Sequence, residues 1–152
     1  MGRHGYQEDI GDWASIRWRG MVASSIRGRR GQAFLRELAK ALDAMPEKRL
    51  VAEDLKNEEG DVCTLGAALA AKGLDPAEYD PEDHEGLAQI FDIAPCLVQE
   101  VEYENDDSWL RKEDYPDGLD EDERRWHRMR RWVDACLAKG KVGAKETHDG
   151  RA

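Results

Sequence analysis

"RLVAEDLKNEEGDVCTLGAAL", residues 49–69, decides the fold class. Its two ends are apolar and the first partly alternates in the period of a strand. The "KNEEGD" between them carries the asparagine and glycine of a tight turn. Residues 49–65 are therefore expected to form a β-hairpin, followed by a short helix from Gly66 to Lys72 that Gly73 ends. The segments on either side have the period of helices, so the expected class is α+β, mainly helical: a single compact domain with one small β-hairpin.

Upstream, "DWASIRWRGMVASSIRG" (residues 12–28) reads as a helix with Asp12 as its N-cap and Gly28 as its stop. Trp13, Ile16, Gly20 and Ala23 mark one face of it. A glycine in mid-helix costs about 1 kcal/mol relative to alanine, so Gly20 suggests close approach of another element. In "QAFLRELAKALDAM" (32–45), Leu35, Leu38, Leu42 and Met45 follow the spacing of an amphipathic helix, ended by Pro46. The joint between the two helices, Arg27 to Gly31, is short enough to make them antiparallel neighbours or a helix-turn-helix-like pair.

Downstream, "LDPAEYDPEDHEG" (74–86) is a loop with two Asp-Pro pairs, from which Asp80 or Asp83 starts a helix through Leu87, Ile90 and Phe91. A further helix is expected from Pro95 to Tyr103, then an acidic connection over 104–122. The last helix runs from Leu119 or Asp120 to Lys139, with Trp126, Met129, Val133, Cys136 and Leu137 on one stripe and Gly140 as its cap. Residues 1–11 form an irregular arm, 12–139 one globular domain, and 140–152 a tail expected to be disordered. The expected core is Trp13, Ile16, Leu35, Leu38, Leu42, Trp126, Met129 and Val133.

A chain of 152 residues makes one domain and can bury about 70% of its unfolded surface. Its three cysteines, Cys63, Cys96 and Cys136, are odd in number and lack any C-x-x-C pair, which fits neither a disulfide framework nor a zinc site. A reducing compartment is implied. With no apolar leader in "MGRHGYQEDI" and no membrane-length apolar run, the expected location is cytoplasmic, away from any membrane.

The net charge of −10 is unevenly distributed. Residues 1–50 carry +4, residues 51–122 carry −19 and residues 123–152 carry +5. The basic candidates are Arg17, Arg19, Arg27, Arg29 and Arg30, interleaved with Trp13 and Trp18, since a guanidinium fork suits phosphate or carboxylate and stacks on aromatic rings. Such a cluster can bind a nucleic-acid backbone or an acidic protein, or it can pair with the chain's own acidic segment. The helix "ERRWHRMRRW" (123–132) adds Arg124, Arg125, Arg128, Arg130 and Arg131. The acidic candidates are Asp80, Glu82, Asp83, Glu104, Asp106 and Asp107, whose charge spacing could imitate a nucleic-acid backbone and occupy the basic groove of a nucleic-acid-handling complex.

No phosphate-binding loop, nucleophile elbow, zinc-helix motif or dinucleotide fingerprint occurs, so no enzyme activity, cofactor or metal is expected. A small hydrolase would need the fold to bring Cys63 or Cys96 against His84.

The run "GRHGY", then "DWASIRWRGMVASSIRGRRGQAFLREL", "EKRLVAEDL" and "GDVCTLGAAL", resembles a group of small uncharacterised proteins encoded by bacteriophages and prophages, over about the first 75 residues. No activity or functional residue comes with that group. What the resemblance implies is a setting, the infected bacterial cell. The expected function is a non-enzymatic phage-type accessory protein that binds and modulates a host macromolecular complex through its acidic surface, a nucleic-acid-handling defence complex being one candidate. The alternative is a nucleic-acid-binding regulator using Arg27, Arg29 and Arg30.

Overall fold

Leu35, Leu38 and Leu42 are fully buried, and the helix that carries them, α2 (Arg29–Ala44), packs against three of the other helices. The computed structural model describes residues 2–6, 11–107 and 115–149, the last nine by backbone alone. Around α2 stand α1 (Asp12–Arg27), α3 (Thr64–Ala71), α4 (His84–Phe91), α5 (Pro95–Asp107) and α6 (Glu121–Asp149), with one 3₁₀ turn at Pro76–Glu78. Helix α2 packs on α6 and α3, α1 lies against α6, α5 and α2, and α4 covers part of α5. Trp126, Met129, Val133 and Cys136 of α6 enter the same core, where Trp126 Nε1 donates to the carbonyl of Leu42 at 3.1 Å.

The expected hairpin is not there, and the α+β class gives way to an all-helical one among the described residues. Strand pairing over 49–65 is reduced to one isolated bridge, Lys56 to Val62. The turn chemistry is present, since Asn57 Oδ1 accepts from the backbone N–H of Glu59 and Asp61 and Gly60 sits at φ +88°. Val51 N, Asn57 N and Cys63 N still donate across the two arms, to Val62 O, Asp61 O and Leu55 O, but helices take other backbone groups that a regular ladder needs. Leu50 N donates to Asp122 O, Leu50 O accepts from Arg125, Val51 O accepts from Asn105, and Glu53 N donates to Asp106. Glu53 itself is in the left-handed region, at φ +71°, which breaks an extended run. Instead of a second strand, Cys63 serves as N-cap of α3, its sulfur accepting from Gly66 N at 3.4 Å.

Helix α1 is turned the other way from the expectation. Its buried residues are Val22 and Ile26, with Trp18 partly buried beside them, whereas Trp13 is 77% and Ile16 61% exposed. At about 100° per residue the two stripes lie half a turn apart on the helix. Only Gly28 separates α1 from α2, and Gly31 makes that sharp corner possible, because a Cβ there would fall 1.8 Å from the carbonyl oxygen of Ser25.

Helix α6 begins at a reciprocal box in which Asp120 Oδ1 accepts from Glu123 N and Glu123 Oε1 accepts from Asp120 N. It does not stop at Gly140, where the missing side chain leaves room for Gln32 of α2. Of the expected tail, residues 141–149 continue the helix and 150–152 lie outside the described residues. No helix among the described residues is long and apolar enough to cross a membrane.

Candidate functional site

Two polar constellations stand out, one buried and one exposed. The buried one is built by the N-terminal arm on α5. Arg3 Nε donates to Asp106 Oδ2 at 2.7 Å and Nη2 donates to Oδ1 at 3.0 Å, while Nη1 lies 3.5 Å from Cys63 Sγ. His4 Nε2 contacts Asp107 Oδ2. Tyr6 and Arg19 both donate to the buried Glu100 carboxylate, at 2.7 Å from the phenol and at 2.9 and 3.1 Å from the guanidinium. Burial opposes the charge on Arg3, but the sulfur of Cys63 and the carboxylates of Asp106 and Glu102 outweigh it and hold the guanidinium above its ordinary value.

At the centre of this cluster Glu102 is fully buried. Its Oε1 lies 2.8 Å from His84 Nε2, yet that nitrogen is also 2.9 Å from the carbonyl oxygen of Arg3. The ring hydrogen is aligned with Arg3, so neither Glu102 oxygen receives a well-directed hydrogen bond. Burial pushes the Glu102 carboxyl up to about 8, against the opposing pull of Arg3. Burial likewise pushes the His84 imidazole down. Near neutral pH the pair is a protonated acid beside a neutral ring, which carries no net charge into the core.

That arrangement orders the arm; neither groove described below reaches it. Cys63 and His84 both touch Arg3, one through its guanidinium and the other through its carbonyl, but they are not hydrogen-bonded to one another. Cys96 faces Ser25 Oγ at 3.7 Å, on the α1 side of α5. The nucleophile and base that a hydrolase would need are therefore not assembled. Among the described residues no cluster of histidine, cysteine and carboxylate side chains could hold a metal ion.

The exposed constellation is the outer side of α1. Trp13, Ile16 and Met21, the last 54% exposed, stand on it with Arg17 and Arg27. Gly20 lies between them with nothing within 4 Å of where its Cβ would be, so the close neighbour expected there is not part of this chain's described residues. The face runs into an open groove of about 770 Å³ beside the helix joint, with Met21, Ile93 and Ala94 in its wall and Arg17, Arg29 and Arg30 along it. A smaller groove of about 440 Å³ lies between α2 and α3, lined largely by alanines, Phe34 and Phe91.

The five basic candidates divide between the two constellations. Arg19 is committed to Glu100, and Arg30 reaches Asp92 in an exposed pair at 3.2 Å. Arg17, Arg27 and Arg29 are exposed and meet no carboxylate among the described residues. The arginines of α6 are mostly used within the fold. Arg125 binds the carbonyls of Asn105 and Leu50 as well as Asp122 and Glu121, and Arg128 binds the Asn105 carbonyl. Arg130 pairs with Asp43 and Asp134, and Arg131 lies over the Tyr115 ring.

The acidic candidates divide as well. Asp106 and Asp107 hold the arm, and Glu104 is half-buried. Asp80, Glu82 and Asp83 are exposed at the entry to α4, where Asp83 caps the helix by accepting from Gly86 N at 3.1 Å. Sequence reasoning missed Arg3, His4, Tyr6, Glu100 and Glu102. The available signal was Glu102 itself, a carboxylate in register with Val98, Val101 and Asn105 on the buried stripe of α5. Comparison of the chain with protein-family models, with curated proteins and with solved structures finds no match.

Proposed function

We propose that this chain is a non-enzymatic accessory protein, of the phage type its N-terminal half resembles, that acts by binding a host macromolecular complex. The outer face of α1 and the helix joint form its docking surface. One observation carries this reading: Trp13, Ile16 and Met21 are exposed together on the side of α1 that also holds Arg17 and Arg27. An exposed aromatic and aliphatic face rimmed by charge is the composition of a protein interface. The acidic route to the same function is weakened by the use of Asp106 and Asp107 inside the fold.

Parallel pull-downs from nuclease-treated bacterial lysate, with the wild-type chain and with Ile16→Glu as baits, test it. The reading expects a discrete set of host proteins retained by the wild type and lost by the variant. Equal recovery by both baits would rule out this face.

A nucleic-acid-binding regulator remains the second reading, favoured by the exposed guanidiniums of Arg27 and Arg29, which meet no carboxylate among the described residues. It requires affinity that falls with salt by a log-log slope of about −0.9 per phosphate contacted, and that is lost when Arg27, Arg29 and Arg30 become alanine.

A further inference from the structure

Resting on that docking reading, we infer that the outer face of α1 receives an acidic amphipathic helix, its apolar side laid over Trp13, Ile16 and Met21 and its carboxylates set against Arg17, Arg27 and Arg29.

The shape is that of a helix seat. From Trp13 to Arg27 the face is four turns long, about 21 Å, which matches a partner helix of about 14 residues. Gly20 stands at its middle, and among the described residues no atom lies within 4 Å of its absent Cβ. A glycine exposed in mid-helix weakens its own helix, and nothing among the described residues packs on it. It does let a second backbone approach closely between Trp13 and Met21, and the groove beyond Met21, with Ile93 and Ala94 in its wall, has room for the side chains at the end of such a helix.

Charge selects the partner. The chain has 33 acidic against 23 basic residues, so its arginines are surrounded by available carboxylates, which Arg3, Arg19, Arg30, Arg49, Arg125 and Arg130 use. Arg17, Arg27 and Arg29 nevertheless meet none among the described residues, which leaves three guanidinium forks beside one apolar stripe. Carboxylates flanking an apolar stripe complement that arrangement. A phosphate backbone would satisfy the arginines but leave Ile16 and Met21, both exposed, against charged oxygens. A second copy meeting this face through its own α1 would bring arginine against arginine.

The test is a display selection against the full chain. The library consists of helical peptides of about 14 residues with apolar positions fixed at helical spacing and every other position randomised. Enriched peptides are then titrated against the wild type, Ile16→Glu and Arg29→Glu, both of which alter exposed side chains. The expected pool has Asp and Glu in clear excess over Lys and Arg beside the apolar stripe, and its members lose roughly tenfold or more in affinity for each variant. A pool without acidic bias that still loses affinity in Ile16→Glu overturns the acidic partner and leaves the docking face standing. No enriched pool, or one indifferent to both variants, overturns both. Tighter binding of a short DNA duplex, sensitive to Arg29→Glu but not to Ile16→Glu, replaces the inference with nucleic acid. A micromolar dimer dissociated by Ile16→Glu replaces it with a second copy.

Discussion

The guanidinium of Arg3 closes on the carboxylate of Asp106 through two hydrogen bonds, of 2.7 and 3.0 Å, across 103 positions of sequence. Both side chains are only 4% exposed. Removing one partner of such a pair strands the other charge, at a cost of about 3–5 kcal/mol, whereas replacing both by apolar groups costs much less. Arg3→Met is expected to lower stability by that amount in urea denaturation, and Arg3→Met combined with Asp106→Leu to recover much of the loss. Equal destabilisation by the single and double variants would contradict a coupled pair.

Glu102 and His84 give the stability a pH dependence with a definite sign. The Glu102 carboxyl, ordinarily near 4.5, is raised to about 8 in the fold. Its contribution is complete below about 4.5, because only the folded state keeps the proton above that value, and it is lost as pH rises towards 8. His84, lowered from 6.5, acts oppositely: the unfolded chain takes up its proton first, so stability falls as pH drops below about 6.5. Between about 6.5 and 8 Glu102 is the one of the pair that titrates. Glu102→Gln, which mimics the protonated acid, is expected to flatten the decline over that range and to exceed the wild type by about 1–3 kcal/mol at pH 8. Urea midpoints of both proteins from pH 5 to pH 8 measure this.

Two glycines of the first helix pair predict opposite outcomes. Gly20→Ala meets no atom within 4 Å among the described residues and improves helix propensity, so it is expected to stabilise by about 0.5–1 kcal/mol. Gly31→Ala would drive a methyl group to 1.8 Å from the Ser25 carbonyl oxygen and open the corner between α1 and α2, at a cost of more than about 2 kcal/mol. Thermal melts of the two variants should shift in opposite directions.

The arginine joint and the leucine stripe of α2 should separate cleanly. Leu38 is fully buried in the core, and Leu38→Ala is expected to cost about 2–5 kcal/mol. Arg29 is exposed and unpaired among the described residues, so Arg29→Ala should change stability by less than about 0.5 kcal/mol. A large loss in the second variant would make the joint a structural element instead of a surface.

What the sequence made legible depended on where the physics was local. Helices α2 and α6 could be read because Leu35, Leu38 and Leu42, and Trp126, Met129 and Val133, each repeat on a single stripe. Helix α1 was misread because it is apolar on two sides. Trp13 and Ile16 have as good a helical spacing as Trp18, Val22 and Ile26, and only the packing of α5 and α6 chooses between them. The hairpin was misread although Asn57 and Gly60 do make a turn, because Asn105 and Arg125, distant in sequence, take the backbone groups a ladder needs. Arg17, Arg19, Arg27, Arg29 and Arg30 were legible as a basic cluster, but not which of them pair inside the fold, as Arg19 and Arg30 do. The arm was not, since "RHGY" has no period and its burial depends on carboxylates about a hundred residues away.

The clasp between Arg3 and Asp106 also sets a schedule for biosynthesis. At about 5–20 residues per second, Arg3 is made some 5–20 s before the carboxylate that receives it. Throughout that interval the side of α1 bearing Trp18, Val22 and Ile26 has neither α5 nor α6 to cover it. The first helix pair therefore leaves the ribosome with apolar surface uncovered, and Arg3 is locked in place only by a residue made about a hundred positions after it.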